Sequence, residues 1–466
     1  MLTMKSWLKR NTVKARLRHM TSTTNKLTLA YRPQVRGAVH VPGSKSIANR
    51  ALLLAALASG TTQLDNMLVS DDTARMREAL TALGVVITST PNLDENAAQA
   101  DAGPLHVTGL GGLPNSTSAL SLFLGNAGTV MRPLAAILSA SVGEFELTGE
   151  PRMYERPIGP LVDALRSIGA DIEYQQSTGY PPLLIRGRKL PGGSLAIDGS
   201  MSSQYVSALL MLLPLLEGDT HLTLTGTIVS KPYIELTIAM MTSFGARVEQ
   251  LNEREFLIQG KQQYRSPGVY WIEGDASSAS YFLAAGAIGK GPITVHGVGS
   301  DSLQGDKAFA EVLQAMGAEV TWAPRSITVQ SGNEGLRGGM FDLNHIPDAA
   351  MTIATAALFA EGSTEIRNVA NWRLKETDRL HAMATELKKC GADVEEGDDW
   401  IRITPPVGGA AALQHADIAT YDDHRMAMCF ALLRFAPCGV TILDPECCRK
   451  TYPDFFSDFS AIVYSN

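Results

Sequence analysis

The 466-residue chain reads as an α/β protein of six repeated units, grouped as two domains of three. Three observations predict this. A helix type that opens on small polar residues begins at Gly43, Gly125, Gly199, Gly274, His345 and Tyr421, so successive starts lie 82, 74, 75, 71 and 76 residues apart. A second helix type leaves through a glycine into an alternating strand, five times over. The composition, 45% hydrophobic with 42 Gly and 23 Pro, suits a folded chain with many turns and excludes disordered, collagen-like and coiled-coil classes. At roughly 150 residues per domain, the length allows about two to four domains.

The first helix type is carried by Gly43-Ser-Lys-Ser-Ile-Ala-Asn-Arg50, Gly125-Asn-Ala-Gly-Thr-Val-Met-Arg132 and Gly199-Ser-Met-Ser-Ser-Gln204. It returns as Gly274-Asp-Ala-Ser-Ser-Ala-Ser280, His345-Ile-Pro-Asp-Ala-Ala-Met351 and Tyr421-Asp-Asp-His-Arg-Met426. The second type ends in Leu83-Gly84, Ile168-Gly169, Phe244-Gly245, Met316-Gly317 and Cys390-Gly391. Gly just past the last apolar residue is a helix C-cap signal, and the alternation after it is a strand. Each unit therefore reads as strand, helix, strand, helix and further strand. The sixth ends at Tyr452 to Phe459 without the Gly exit. A period near 75 is too long for an ordinary solenoid, and βαβ-rich units imply a layered α/β architecture.

The first helix type also carries chemistry. A helix N-terminus offers free backbone N–H groups and the positive end of the dipole, and small polar residues there let an anion approach. For any one copy, simple capping by Ser, Asp or Asn is the plainer reading. Lys45, Arg50, Arg132 and Arg425 inside the copies favour an anion site. The densest charged cluster is Asn371-Trp-Arg-Leu-Lys-Glu-Thr-Asp-Arg379. Read as a helix start, it sets Lys375 and Arg379 at i,i+4, which is unfavourable unless acids or a bound anion compensate. Glu376 beside them is a candidate proton-transfer group. Asp422-Asp423-His424-Arg425 opens a buried-looking helix, where such charges must be paired or liganded. His424 is expected to be a hydrogen-bonded structural residue. No second His or Cys stands at ligand spacing, so no metal is expected.

Several classes are excluded. Gly43-Ser-Lys-Ser fails as a P-loop, because Ser44 separates the Gly from the Lys and Ala38 occupies the first Gly position. Gly109-Leu-Gly-Gly112 fails as a dinucleotide fingerprint at Pro114. The five cysteines, Cys390, Cys429, Cys438, Cys447 and Cys448, form neither a disulfide framework nor a zinc knuckle, and suit a reducing compartment. The longest apolar run, Val206 to Leu216, is too short for a membrane span and is broken by Pro214. A net charge of −7 argues against general nucleic-acid binding.

Taken together, Pro42-Gly-Ser-Lys-Ser46, Leu124-Gly-Asn-Ala-Gly-Thr-Val-Met-Arg-Pro133, Arg152-Met-Tyr-Glu-Arg-Pro-Ile158, Ser202-Ser-Gln204, Ser230-Lys-Pro-Tyr233, Pro347-Asp348, the Asn371 to Arg379 cluster and Asp423-His-Arg425 resemble the 5-enolpyruvylshikimate-3-phosphate synthase family of enolpyruvyl transferases. The resemblance runs from about Leu27 to the C-terminus. It implies two globular domains, each of three βαβαββ units, with the active site in the cleft between them. Residues 44–272 would form an inserted domain, and 27–43 plus 273–466 the other. The implied reaction moves the enolpyruvyl group of phosphoenolpyruvate onto the 5-hydroxyl of shikimate 3-phosphate, by addition and elimination, with release of phosphate, on the route to chorismate and aromatic amino acids.

By the same resemblance, Ser46, Arg50, Ser202, Ser203, Ser230, Tyr233, Asn371 and Lys375 hold shikimate 3-phosphate, and Gln204 lies between both ligands. Lys45, Gly128, Arg156, Arg379, Arg425 and Lys450 hold phosphoenolpyruvate. Glu376 would exchange the proton at carbon 3. Asp348 would orient and deprotonate the 5-hydroxyl, with Lys45 assisting and also contacting both substrates. No cofactor, metal or covalent intermediate is implied. Gly128, Thr129 and Pro133 match glyphosate-sensitive members, while Val130 stands where Ala is expected.

The related transferase acting on UDP-N-acetylglucosamine commonly carries a Cys in a mobile loop of the first-lying domain, and here no Cys precedes Cys390. A non-catalytic anion-binding scaffold is opposed by the retained Asp348, Glu376 and cations. Residues 1–26 hold seven cations and no acid. They read as a basic, disordered leader, from a start set early at Met1 when Met4 and Met20 are available; a transit peptide is the other reading. A monomeric bacterial cytoplasmic enzyme is expected. Removing +7 from −7 leaves −14 on residues 27–466, so the cations for two polyanionic substrates must be concentrated in the cleft.

Overall fold

The computed structural model describes residues 25–89 and 103–464. The expected leader lies outside the described residues except for Asn25 and Lys26, and Lys26 already begins the strand Lys26–Leu29. The repeat unit is plainest at residues 120–187. Strand Leu120–Phe123 leads through helix Gly128–Ala140 into the parallel strand Gly143–Thr148. Helix Gly159–Ser167 follows, and the hairpin Asp171–Tyr174 with Leu183–Gly187 completes a four-stranded mixed sheet. The same order recurs around helices Ser203–Leu212 and Lys231–Ser243, and around Pro347–Ala356 and Arg379–Lys389.

The other three units are completed by strands from elsewhere in the chain. Val269–Trp271 supplies the parallel edge strand beside Thr61–Asp65, in the unit of helices Lys45–Leu57 and Asp71–Ala82. Gly37–His40 does so beside Ile293–His296, in the unit of helices Ala276–Ile288 and Phe309–Ala315. In the sixth unit Lys26–Leu29 pairs with Val440–Leu443, and Gln34–Val35 pairs with Val463–Tyr464. The sixth unit, which lacks a Gly exit, takes its antiparallel partners from the N-terminal segment.

The first helix type is buried almost all round. Twelve of thirteen residues of Lys45–Leu57 and of Ala276–Ile288 are buried, as expected of helices at the centre of a layered core. Alanine and serine let their neighbours approach. Two hydrophobic cores result. One runs from Ile47 to Ile272; the other joins Leu29–Val41 to residues 276–463. The chain passes between them twice, side by side: Gly43 and Gly274 form an antiparallel bridge, and Ser44 N–H donates to the Glu273 carbonyl at 2.8 Å. Among the described residues no helix is long and apolar enough to cross a membrane.

The glycine exits are left-handed. Gly84, Gly169, Gly245, Gly317 and Gly391 have φ of 90°, 100°, 83°, 109° and 89°, a region closed to most side chains. At Gly169 a Cβ would meet nothing within 4 Å, so only the backbone conformation opposes a side chain. Gly169→Ala should therefore destabilise the fold by about 1–2 kcal/mol, and Gly169→Asn by less. Urea unfolding measures this, and an unshifted Gly169→Ala midpoint would contradict the left-handed exit.

Candidate active site

Between the two cores lies a cleft of about 860 Å³. Its walls are mostly the N-terminal turns of the first helix type. Ser202, Asp275 and Asp423 each accept a first-turn N–H of their own helix, so three copies are capped as the plainer reading expected. Ser44, Ala127 and Ile346 cap nothing with their side chains. The first turns of those three helices bring Lys45, Ser46, Gly128 and Asp348 to the cleft.

Of the seventeen residues expected at the site, fourteen line the cleft. Lys45, Ser46, Arg50, Gly128, Arg156, Ser202, Ser203, Gln204, Ser230 and Tyr233 come from one core's side, and Asp348, Asn371, Lys375 and Glu376 from the other. Arg379, Arg425 and Lys450 are not on its wall. Arg379, 1% exposed as a side chain, donates to Asp348 Oδ1 at 2.9 Å, Glu376 Oε2 at 2.9 Å and Asp423 Oδ2 at 2.7 Å. Arg425 donates to Asp348 Oδ2 at 3.0 Å and to the Tyr281 hydroxyl at 3.2 Å. Lys450 lines an adjoining cavity, which shares Asp72 with the cleft.

The two walls differ in charge balance. Among the described residues, the buried Arg50, Arg132 and Arg156 have no carboxylate within ion-pair distance. Arg50 donates to Thr237 Oγ1, the Ser46 carbonyl and Ser207 Oγ. Arg132 donates to the Pro157 carbonyl, and Arg156 to the main-chain and side-chain oxygens of Asn126. The Nε atoms of Arg132 and Arg156 are buried without a partner. Burial pushes Arg50 down to about 10; burial and then Arg156 do the same to Arg132. Buried cations without counter-charges are costly and mark where an anion belongs. Over Gly128 they converge: a Cβ there would lie 2.4 Å from Arg132 Nη1, 2.8 Å from Arg156 Nη2 and 3.0 Å from Gln204 Oε1.

On the opposite wall the carboxylates are saturated with cations. Lys375 Nζ lies 3.2 Å from Asp348 Oδ1. Burial alone would raise the Asp348 carboxyl, but Arg425, Lys375 and Arg379 together hold it well below the usual range. Burial is likewise outweighed at Glu376 by Arg379, Arg156, Lys450 and Lys45. Lys45 Nζ stands 3.2 Å from Asp72 and 4.0 Å from Glu376.

Two sequence expectations are corrected. Residues 371–379 do not form one helix start: a 3-10 turn spans Ala370–Leu374, and the helix begins at Arg379. Lys375 and Arg379 thus share no helix turn, and Asp348 compensates both. His424 is fully buried, yet neither ring nitrogen has a hydrogen-bond partner; burial, Lys45 and Arg425 push its pKa well down. The sequence shows no sign of Asp72 or Asp306 at the site, and it places Arg132 and Asp423 in motifs without assigning them a contact. Arg132 was within reach, being a basic residue inside a helix-start motif. Asp72 and Asp306 carried no local signal, because the partner of Asp72 and the site near Asp306 are distant in sequence.

Comparison with known proteins bears on this geometry. The sequence model described as EPSP synthase (3-phosphoshikimate 1-carboxyvinyltransferase) matches residues 30–459. The chain is 56% identical over 436 residues to the 3-phosphoshikimate 1-carboxyvinyltransferase of Citrobacter koseri, covering 94% of this chain and 98% of that one. Its identity to the protein of that name from Shewanella loihica is 56% over 430 residues, 92% and 97% of the two chains. A solved EPSP synthase from Acinetobacter baumannii superposes with a TM-score of 0.77 at 26% identity, covering 94% of this chain and 98% of that one. The enolpyruvyl transferase NikO from Streptomyces tendae shares the fold, with a TM-score of 0.70 at 18% identity and coverage of 94% and 96%.

Asp306 offers a test of the electrostatics. It is 3% exposed, accepts from Tyr233 Oη at 3.2 Å and from Ser277 Oγ, and leaves Oδ1 unpartnered. Burial, then Asp348, raises its pKa from 3.8 to about 6. A raised carboxyl favours the folded state at low pH, and that contribution fades as pH rises toward the folded value. Asp306→Asn should therefore gain stability relative to the parent between about pH 4 and about pH 6, and keep that gain above. Denaturant unfolding across this range checks it; a difference independent of pH would contradict the raised carboxyl.

Proposed function

The chain belongs to the EPSP synthase family, and on that premise we propose which of its residues perform the transfer. It is a 3-phosphoshikimate 1-carboxyvinyltransferase of the shikimate pathway with the two-domain enolpyruvyl transferase fold. It moves the enolpyruvyl group of phosphoenolpyruvate to shikimate 3-phosphate and releases phosphate. We assign the domains as 44–272 and 27–43 plus 273–466, a division supported by the two cores, and we propose a cytoplasmic monomer.

The observation that carries the site assignment is the uncompensated Arg50, Arg132 and Arg156 beside two ionised carboxylates in one cleft. Substrate phosphates and carboxylates supply the missing counter-charge. Shikimate 3-phosphate is held by Ser46, Arg50, Ser202, Ser203, Ser230, Tyr233, Asn371 and Lys375. Phosphoenolpyruvate sits over Gly128, against Lys45, Arg156 and Lys450, and Gln204 touches both. Arg425 keeps a buried, unpartnered Nε for the same anion. Arg379 has all three nitrogens engaged, so its first role is to position Asp348 and Glu376.

In the addition step Asp348 takes the 5-hydroxyl proton as the oxygen bonds to carbon 2, and Glu376 protonates carbon 3. In the elimination Glu376 takes a proton back from carbon 3, the carbon 2–phosphate oxygen bond breaks, and the proton held at Asp348 leaves with phosphate by way of Lys45. Glu376 is ionised in the ligand-free site. Arg379, the strongest of the cations that depress it, stays in place, but phosphoenolpyruvate would occupy the other three, Arg156, Lys450 and Lys45, and so raise the carboxyl toward a proton-donating range. The place over Gly128 also suits the phosphonate of glyphosate; Val130 is fully buried and acts on that place only through packing.

Glu376→Gln and Asp348→Ala should each lower kcat by about 10²–10⁴ with an unchanged circular dichroism spectrum. Phosphate release measured with shikimate 3-phosphate and with UDP-N-acetylglucosamine tests both the roles and the substrate; near-parent rates in either variant end that variant's assignment. Gly128→Ala places its methyl group among Arg132, Arg156 and Gln204, so KM for phosphoenolpyruvate should rise at least about tenfold, a loss of roughly 1.4 kcal/mol. Shikimate 3-phosphate affinity, followed by fluorescence titration, should fall much less, since only Gln204 is shared with that ligand.

A further inference from the structure

Arg152 makes contacts that substrate binding does not explain. It lies in the 3-10 turn Pro151–Glu155, on the side of the core formed by residues 47–272, and does not line the cleft. Its guanidinium nevertheless reaches the opposite side. Nε donates to the Glu376 carbonyl at 3.1 Å, and Nη2 to the Lys375 carbonyl at 3.2 Å. Nη1 pairs with Glu155 at 2.6 Å, which turns the other two donors away from its own carboxylate partner.

The acceptors are consecutive main-chain carbonyls of the stretch between the 3-10 turn Ala370–Leu374 and the helix starting at Arg379. A planar fork holding both oxygens fixes the two peptide planes. Those planes flank Glu376 on both sides and so set its Cα–Cβ direction. A simple surface pair with Glu155, whose side chain is 65% exposed, would contribute little and would need no bond across the cleft.

We infer that Arg152 is a positioning residue that latches the closed cleft and, by the same two hydrogen bonds, fixes the backbone that presents Glu376. The donor and acceptors belong to different cores, so these bonds exist only when the cores are together. Glu376 is thereby aimed only in the closed enzyme. The inference rests on the proposed role of Glu376, and its test separates the two.

Arg152→Ala should lower kcat about ten- to a hundredfold, the range of a lost charge-assisted hydrogen bond. Its dissociation constant for shikimate 3-phosphate should weaken by clearly less than kcat falls, since Arg152 does not line the cleft and acts on binding only through closure. Compaction on adding shikimate 3-phosphate, read by small-angle scattering, should shrink. Arg152→Lys, with one ammonium for two carbonyls, should fall between parent and Ala, which guards against a folding defect in the Ala variant. Glu376→Gln keeps its carbonyl and should compact normally while losing turnover. A parent-like kcat in Arg152→Ala overturns the latch, as does undiminished compaction or a loss of ligand affinity equal to the loss of rate. Full turnover in Glu376→Gln instead overturns the role of Glu376 and leaves the compaction result to judge the latch.

Discussion

The Arg379 guanidinium, buried and bonded to Asp348, Glu376 and Asp423, is the interaction on which the site depends. It joins the first turn of helix Pro347–Ala356, the stretch before its own helix and the N-cap of helix His424–Phe430. Without it three carboxylates would face one another in a low-dielectric interior, a cost of several kcal/mol. With it, the site keeps two ionised carboxylates at hand. Asp423 spends its other bond capping the helix that carries Arg425, so one cation orders both arms of the acidic wall.

The walls of the cleft are complementary in kind. One is over-supplied with cations and donors, and the other is neutralised within itself. A polyanion entering the cleft meets an unsatisfied surface on one side and, on the proposed assignment, a preorganised proton-transfer pair on the other. Preorganisation of this sort costs stability in the empty enzyme, as buried Arg50 and Arg132 indicate, and returns it when the charges are matched. A net acidic body keeps such a cation set local: anions are repelled broadly and attracted at one place.

Much of this was legible in the sequence because the repeat repeats its chemistry. The five glycine exits share one backbone conformation, and the helix starts that lack caps of their own open on the cleft. The family resemblance supplied the residue roles, which periodicity alone does not carry. The rest depended on contacts between distant segments. Asp72 meets Lys45 only because two helices of one unit converge. His424 looked like an ordinary helix-start histidine, and only the three-dimensional packing leaves both of its ring nitrogens without a hydrogen bond. The helix-like reading of residues 371–379 failed because Asp348, far upstream, resolves the charge conflict without a helix. The strands shared between units had no signature, since an edge strand looks the same whichever end of the chain provides it.

That sharing has a consequence for how the protein is made. Lys26–Leu29 and Gly37–His40 leave the ribosome first, yet their partners Val440–Leu443 and Ile293–His296 come hundreds of residues later. At about 5–20 residues per second, the first strands wait from roughly ten seconds to more than a minute with unpaired edges. Residues 47–272 close their own core in that interval, since their sheets need nothing beyond Trp271. Vectorial synthesis therefore builds one half of the cleft before the other half has a sheet to stand on, and the N-terminal segment is the last piece stitched in.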